Sequence, residues 1–160
     1  MPSILVAYYS HGGNTRKMAQ RISQAATEAG CQVEVRKVTD ISVESLAQYD
    51  GVILGSPCYF GVMAAEMKSF IDKSIKLFGK GELTGKAGGV FCSTGGIGGG
   101  GELTMISLLA GLMIHGMVVQ GSRKGGHFGP LAIGEPDERA LAECDQYGQL
   151  VAGLALRLAR

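Results

Sequence analysis

Ser10, Asn14 and Thr15 flank two glycines in the run Ser10-His11-Gly12-Gly13-Asn14-Thr15, and these are residue types that hold an anion. Upstream, Ile4-Leu5-Val6-Ala7-Tyr8-Tyr9 is short, apolar and β-prone, while the residues downstream take helical spacing. The segment therefore predicts a buried parallel strand, a tight loop and a helix N-terminus. A first helical turn leaves backbone N–H groups without partners. Together with the Ser10 and Thr15 hydroxyls and the Asn14 amide, they can surround a phosphate without any lysine. Charge-assisted hydrogen bonds contribute about 1.5–3 kcal/mol each, so several of them hold a phosphomonoester.

Two further stretches carry loop chemistry. Ser56-Pro57-Cys58-Tyr59-Phe60-Gly61 contains a Pro and a Gly that call for a loop, with Cys58, Tyr59 and Phe60 as an aromatic and thiol-bearing wall. Ser93-Thr94-Gly95-Gly96-Ile97-Gly98 opens a glycine-rich loop whose backbone can approach a flat ring. Gly96 to Gly101 formally fits G-x-G-x-x-G, but a run of glycines meets that pattern trivially and no Asp or Glu lies between Glu102 and Glu135 to grip a ribose. No G-x-x-x-x-G-K-[ST] occurs, and no cysteine heads a phosphatase-like loop. A phosphate site, an aromatic wall and a glycine wall together suit a flavin mononucleotide. His115 and His127 are the candidate catalytic residues, as groups that position substrate or supply a proton, while His11 reads as a loop histidine.

The elements that must position these loops follow in order. Thr15 to Ala29 is a helix stopped by Gly30, Val33 to Val38 an alternating strand near a sheet edge, and Asp40 to Asp50 a short helix around Val43 and Leu46. Gly51 to Gly55 is a buried strand, Met63 to Phe78 a helix, and Lys86 to Ser93 a strand. Glu102 to Ile114 is a helix, Met117 to Gly121 the fifth strand, Ser122 to Gly134 a long loop and Asp137 to Arg160 the closing helix. Five strands alternating with five helices predict an α/β fold, a three-layer, doubly wound parallel sheet in one domain over 1–160. The loops at 10–15, 56–61 and 93–101 leave the carboxyl ends of strands and should converge on one pocket.

Composition narrows the class. A net charge of +1 and a pI of about 7.7 give no basic field for nucleic acid. Cys31, Cys58, Cys92 and Cys144 form no C-x-x-C pair and lack metal-ligand spacing, so no metal is expected and the thiols suit a reducing, cytoplasmic compartment. Leu103 to Ser122 carries no charge, but Thr104, Ser107, His115 and Gln120 interrupt it, which fits a buried helix and strand rather than a membrane insertion.

Leu5 to Ser10 with Ser10-x-x-Gly13-Asn14-Thr15, Gly55-Ser56-Pro57-x-Tyr59-Phe60-Gly61, Lys68 with Phe70-Ile71-Asp72, Ser93-Thr94-Gly95-Gly96-x-Gly98-Gly99, and His115-Gly116-Met117-Val118 recur in this order. On these blocks the chain resembles the flavodoxin-like superfamily and, within it, the tryptophan-repressor-binding-protein-like NAD(P)H:quinone oxidoreductases. The resemblance implies a sheet order of 2-1-3-4-5. It implies that 10–15 hold the FMN phosphate, that 58–60 and 93–98 frame the isoalloxazine, and that a histidine before the fifth strand completes the site. It places Phe78 near an aromatic of the quinone pocket. It further implies homodimers or homotetramers in which a neighbouring subunit helps close the pocket through Gly126-His127-Phe128-Gly129. The family's usual member is longer between the second and third strands and after the fifth, and its flavin-contacting histidine falls at Ile114, one position before His115.

Single-electron flavodoxins are strongly acidic and commonly sandwich the ring between aromatics. This chain is near neutral, and its third loop has only Ser, Thr, Gly and Ile, which leaves one ring face open for hydride transfer. The expected activity is ping-pong reduction of a quinone by NAD(P)H. The alternatives are a flavodoxin-type carrier and a regulatory FMN-binding module without significant turnover.

Overall fold

The computed structural model describes residues 1–159; the last residue of the expected closing helix, Arg160, lies outside them. The first strand, β1 (Ser3–Tyr8), is followed by helix α1 (Asn14–Glu28) and strand β2 (Gln32–Lys37). Next come β3 (Gly51–Tyr59), the two-residue β4 (Val62–Met63) and the helices α2 (Ala65–Lys73) and α3 (Ile75–Phe78). The chain closes with β5 (Ala87–Thr94), α4 (Gly101–Ile114), β6 (Val118–Val119), β7 (Leu131–Ile133) and α5 (Glu138–Leu158), the last capped by the Asp137 carboxylate, which accepts from the Ala140 N–H at 2.8 Å.

The parallel sheet runs β2-β1-β3-β5-β6, which is the expected order 2-1-3-4-5 counted without the β4 hairpin arm. Alternate residues of its strands face two separate cores. Ile4, Val6, Ile53 and Phe91 pack under α1 and α5 with Ile22, Tyr147 and Val151. Leu5, Val52, Leu54 and Val90 pack on the other face against Met67, Phe70, Leu108 and Leu112 of α2 and α4. β2 sits at the edge and its burial alternates residue by residue, as its charged Glu34 and Arg36 require.

Five elements depart from the sequence reading. The short helix expected over 40–50 is instead a pair of 3₁₀ turns, Val38–Asp40 and Val43–Gln48. Val43 and Leu46 are buried in the second of them, at the three-residue period of a 3₁₀ turn, and the Ser45 hydroxyl donates to the Ser42 carbonyl at 2.7 Å. The helix expected over 63–78 breaks at Ser74, whose hydroxyl donates back to the Ile71 carbonyl. The segment 56–61 is strand through Tyr59 rather than loop, and only Phe60 and Gly61 make the turn into antiparallel β4. Pro57 is tolerated because the β1–β3 ladder has already ended at Tyr8 and Gly55, so no neighbour requires its missing N–H.

The fifth position of the sheet is split. β6 pairs with β5 at Ala87 and Gly88, β7 pairs with the same edge at Cys92 to Thr94, and residues 120–130 loop outward between them. Across that gap the Val90 N–H donates to the Tyr147 hydroxyl at 2.9 Å. The excursion returns through Gly129, where an added Cβ would lie 2.0 Å from the Val90 carbonyl oxygen. The expected loop 122–134 therefore contains a strand, and the expected fifth strand is shortened to two residues.

Candidate cofactor site

The three loops meet at the carboxyl edge of the sheet, around a cleft of about 160 Å³. β1 ends at Tyr8 and the chain turns at Ser10, whose buried hydroxyl accepts the Gly13 N–H at 3.0 Å. Gly13 caps α1 with φ 101°, a left-handed conformation that favours glycine, and no side chain caps this helix. Nor does an acidic residue stand in its first turn. The positive end of α1 and its N–H groups at Asn14, Thr15 and Arg16 therefore stay available to an anion.

Thr15 is buried and its Oγ1 lies 2.8 Å from Ser93 Oγ, which joins the first loop to the third. A hydroxyl pair holds two hydrogens and consumes one in the mutual bond, so one remains to donate into the cleft. The second wall is the β3–β4 hairpin. Its base is fixed by Ser56, whose hydroxyl donates to the Pro57 carbonyl at 2.8 Å and accepts the Ala64 N–H at 2.9 Å. Cys58 Sγ donates to the Gly99 carbonyl at 3.1 Å, and a Cβ on Gly100 would fall 2.7 Å from Gly61 Cα, so hairpin and third loop pack backbone to backbone. The N–H groups of Gly96, Ile97 and Gly98 meet no protein acceptor among the described residues.

Of the residues singled out from sequence, Ser10, His11, Gly12, Asn14, Thr15, Pro57, Cys58, Tyr59, Ser93, Thr94 and Gly95 line the cleft. Gly13, Gly61, Gly96 and Gly98 shape the backbone beside it, while the Phe60 and Ile97 side chains stand out from its rim at 108% and 91% exposure. Phe60 also has φ 50°, the one non-glycine residue with a positive φ among the described residues. Gly134 lines the cleft as well, its N–H donating to the Thr94 carbonyl at 2.7 Å. Sequence reasoning missed it because the strand that leads to it was read as loop.

The remaining candidates are not brought to the cleft. His115 and Phe78 pack edge to face at 5.9 Å, and with Ile71, Ile75 and Ile114 they line a separate cleft of about 240 Å³. α4 begins beside the third loop and runs 14 residues away from it, which puts His115 about 20 Å from that loop. There His115 Nε2 pairs with the Ser74 hydroxyl at 2.7 Å, and partial burial lowers its pKa. His127 and Phe128 are exposed on the 120–130 excursion, with His127 Nδ1 held 2.8 Å from the Ser122 carbonyl. Neither of the two candidate histidines reaches the cleft of its own chain. Cys92, within β5, is fully buried and its thiol is pushed up to about 12 by that burial.

A phosphate and a polyol chain fit the hydroxyl-lined, uncapped end of α1, and a planar ring fits the flat edge between Tyr59 and the third loop. No group of three or more His, Cys, Asp or Glu side chains is placed to hold a metal among the described residues, and no helix there is long and apolar enough to cross a membrane.

Comparison with known proteins agrees with this geometry. Residues 5–96 match the model of a family described as Flavodoxin domain. A protein of Archaeoglobus fulgidus named NAD(P)H dehydrogenase (quinone) is 34% identical over 99% of this chain and 100% of its own length. Among solved structures, a flavodoxin from the domain Archaea superposes with a TM-score of 0.80 at 26% identity, covering 96% of this chain and 99% of that one. A WrbA-like flavodoxin of Agrobacterium tumefaciens gives 0.83 at 24% identity, covering 98% and 99%. Fold, loop order and sequence agree, and this chain belongs to the flavodoxin domain family.

Proposed function

We propose that the chain binds FMN in the three-loop cleft and uses it to reduce a quinone at the expense of NAD(P)H, in a ping-pong cycle. The observation that carries this reading is the third loop. Residues 94–98 offer a backbone wall without an aromatic ring, so one side of a planar group seated there stays open to a stacked nicotinamide or quinone. The name carried by the relative from Archaeoglobus fulgidus supports it.

FMN, when bound, accepts a hydride and passes on two electrons. The chain's own contribution is orientation and charge. The α1 N-terminus with Ser10 and Thr15 fixes the phosphate, Tyr59 and Pro57 limit the ring on one side, and the free amides of Gly96, Ile97 and Gly98 stabilise negative charge that develops at the ring edge. No side chain of the cleft serves as a nucleophile in this scheme.

We further infer that the protein works as a homodimer or homotetramer. α4 turns Leu103, Ile106, Met113 and Ile114 outward, and no charged residue occurs from Leu103 to Ser122, which is the character of a buried helix. Assembly through this face also gives His127 and Phe128 a neighbouring cleft to approach. The four free thiols fit a reducing cytoplasm.

Anaerobic stopped-flow absorbance of the FMN-loaded protein tests the activity. Rapid bleaching of the flavin band by NADH or NADPH, followed by rapid recovery with benzoquinone, is expected. No bleaching with either nucleotide overturns it and leaves the carrier or the binding module.

A further inference from the structure

The two edges of the sheet are built differently. At one, β6 and β7 are short and the 120–130 excursion parts them. At the other, β2 keeps register with β1 over all six of its residues, Gln32 to Lys37, with no proline and no bulge. The direction of its peptide groups follows from one bond. The Gln32 N–H donates to the Pro2 carbonyl at 2.9 Å, so Gln32, Glu34 and Arg36 turn their backbone toward β1, while Val33, Val35 and Lys37 turn theirs away from the sheet. The described residues offer those three outward groups no partner strand. A straight, open edge is a template for another strand.

The side chains of β2 select which strand that template takes. Val33 and Val35 pack on the α1 side of the sheet, and Glu34 and Arg36 stand on the other side, exposed and paired with each other at 2.8 Å. The Tyr49 hydroxyl donates to the second Glu34 oxygen and holds the carboxylate at the edge. In an antiparallel pair the outward-facing residues of one strand must stand opposite outward-facing residues of the other. With a twofold axis at Val35, Val35 meets the partner's Val35, Val33 meets the partner's Lys37, and Glu34 meets the partner's Arg36 on both sides of the axis. Glu34 and Arg36 then take the non-hydrogen-bonded positions, where Cα atoms lie about 4.5 Å apart and opposite charges favour pairing. A slip of two residues either way keeps the backbones in phase but sets Glu34 against Glu34 or Arg36 against Arg36. The strand is complementary to itself in charge only when the axis passes through Val35.

We propose that β2 pairs with β2 of a second copy of this chain in this register, so that the two sheets continue into one across the seam. The outward residue pairs exchange N–H to carbonyl bonds, Val35 packs on Val35 on the α1 side, and the Glu34 to Arg36 contacts close the other side. Because the contact is isologous, it closes with two copies and does not run on into a fibre. The seam is separate from the outward face of α4, which packs over β5 at the other end of the strand order. It takes no part in the flavin chemistry and does not depend on it.

Charge reversal in the full chain tests the seam, read by sedimentation velocity and by amide hydrogen exchange at rising protein concentration. The parent should associate, and the Val33, Val35 and Lys37 amides should become protected as it does, while those of Glu34 and Arg36 are protected throughout. Glu34→Arg and Arg36→Glu each set like charges across the seam, at exposed positions that leave the fold intact, and each should weaken association at least about tenfold. Mixing the two variants one to one should restore it, because every Glu then meets an Arg in the mixed pair. A parent without concentration-dependent protection at Val35, single variants that associate as the parent does, or a mixture no tighter than its components overturns the proposal. Association that survives both reversals while the Val35 amide exchanges freely overturns it as well and assigns the contact to the outward face of α4.

Discussion

Thr15 Oγ1 and Ser93 Oγ meet at 2.8 Å beneath the cofactor cleft, and this bond joins residues 78 positions apart in the chain. It ties the N-terminus of α1 directly to the end of β5. Thr15→Val removes one of the two hydroxyls and leaves that of Ser93 without this partner, so we expect a loss of about 1–3 kcal/mol in stability and at least tenfold weaker FMN binding. Thr15→Ser should retain both. Fluorescence titration of FMN with parallel denaturant melts checks this, and Ser10→Ala combined with Thr15→Ala should weaken FMN further.

The Tyr147 hydroxyl takes the Val90 N–H at the point where β5 lacks a partner strand. Tyr147→Phe leaves a buried donor unpaired, with an expected cost of about 1–3 kcal/mol. Hydrogen exchange should accelerate most at the Val90 amide and little at Val6.

Phe60 holds a left-handed backbone with its ring in solvent. Phe60→Asn should stabilise the fold by about 1 kcal/mol, since asparagine adopts this conformation more readily. The same change should raise KM for the quinone if the ring guards the mouth of the cleft, and steady-state kinetics separate the two effects.

His115 is half-buried, and this partial burial depresses its pKa below the ordinary value of 6.5. The unfolded chain then binds a proton more readily than the folded one. Stability contributed by the neutral ring is complete above about pH 6.5 and is lost as pH falls through the lowered folded value. Glu44, drawn down to about 2 by hydrogen bonds from Lys76 and Ser42, has the same sign, its contribution present above about 4.5 and lost toward pH 2. Denaturation midpoints measured between pH 7 and 5 should fall less in His115→Gln than in the parent, while the pH profile of turnover stays the same in both.

Periodicity and turn chemistry made most of the fold legible. The apolar run ending in Gly12 and Gly13, the alternating edge strand around Glu34 and the glycines after Thr94 all sit where local physics puts them. The split fifth strand was hidden because Leu131 to Ile133 is too short to outweigh the glycines and Pro130 around it. With that strand went Gly134. The placement of His115 was a matter of direction rather than residue type. A helix leaving the third loop carries its far end away at 1.5 Å per residue, and no motif match encodes that distance. Ser74 broke the α2 segment through a back-bond to Ile71 that hydrophobic spacing does not register.

The two halves of the interrupted strand are anchored independently, β6 through the Val118 N–H to Lys86 and β7 through the Cys92 N–H to the Pro130 carbonyl. The tip at residues 123–125 therefore forms a permissive graft point. A peptide epitope spliced there leaves both anchors, Gly129 and the cleft in place, and chain length can grow or shrink at this one position without rewiring the sheet.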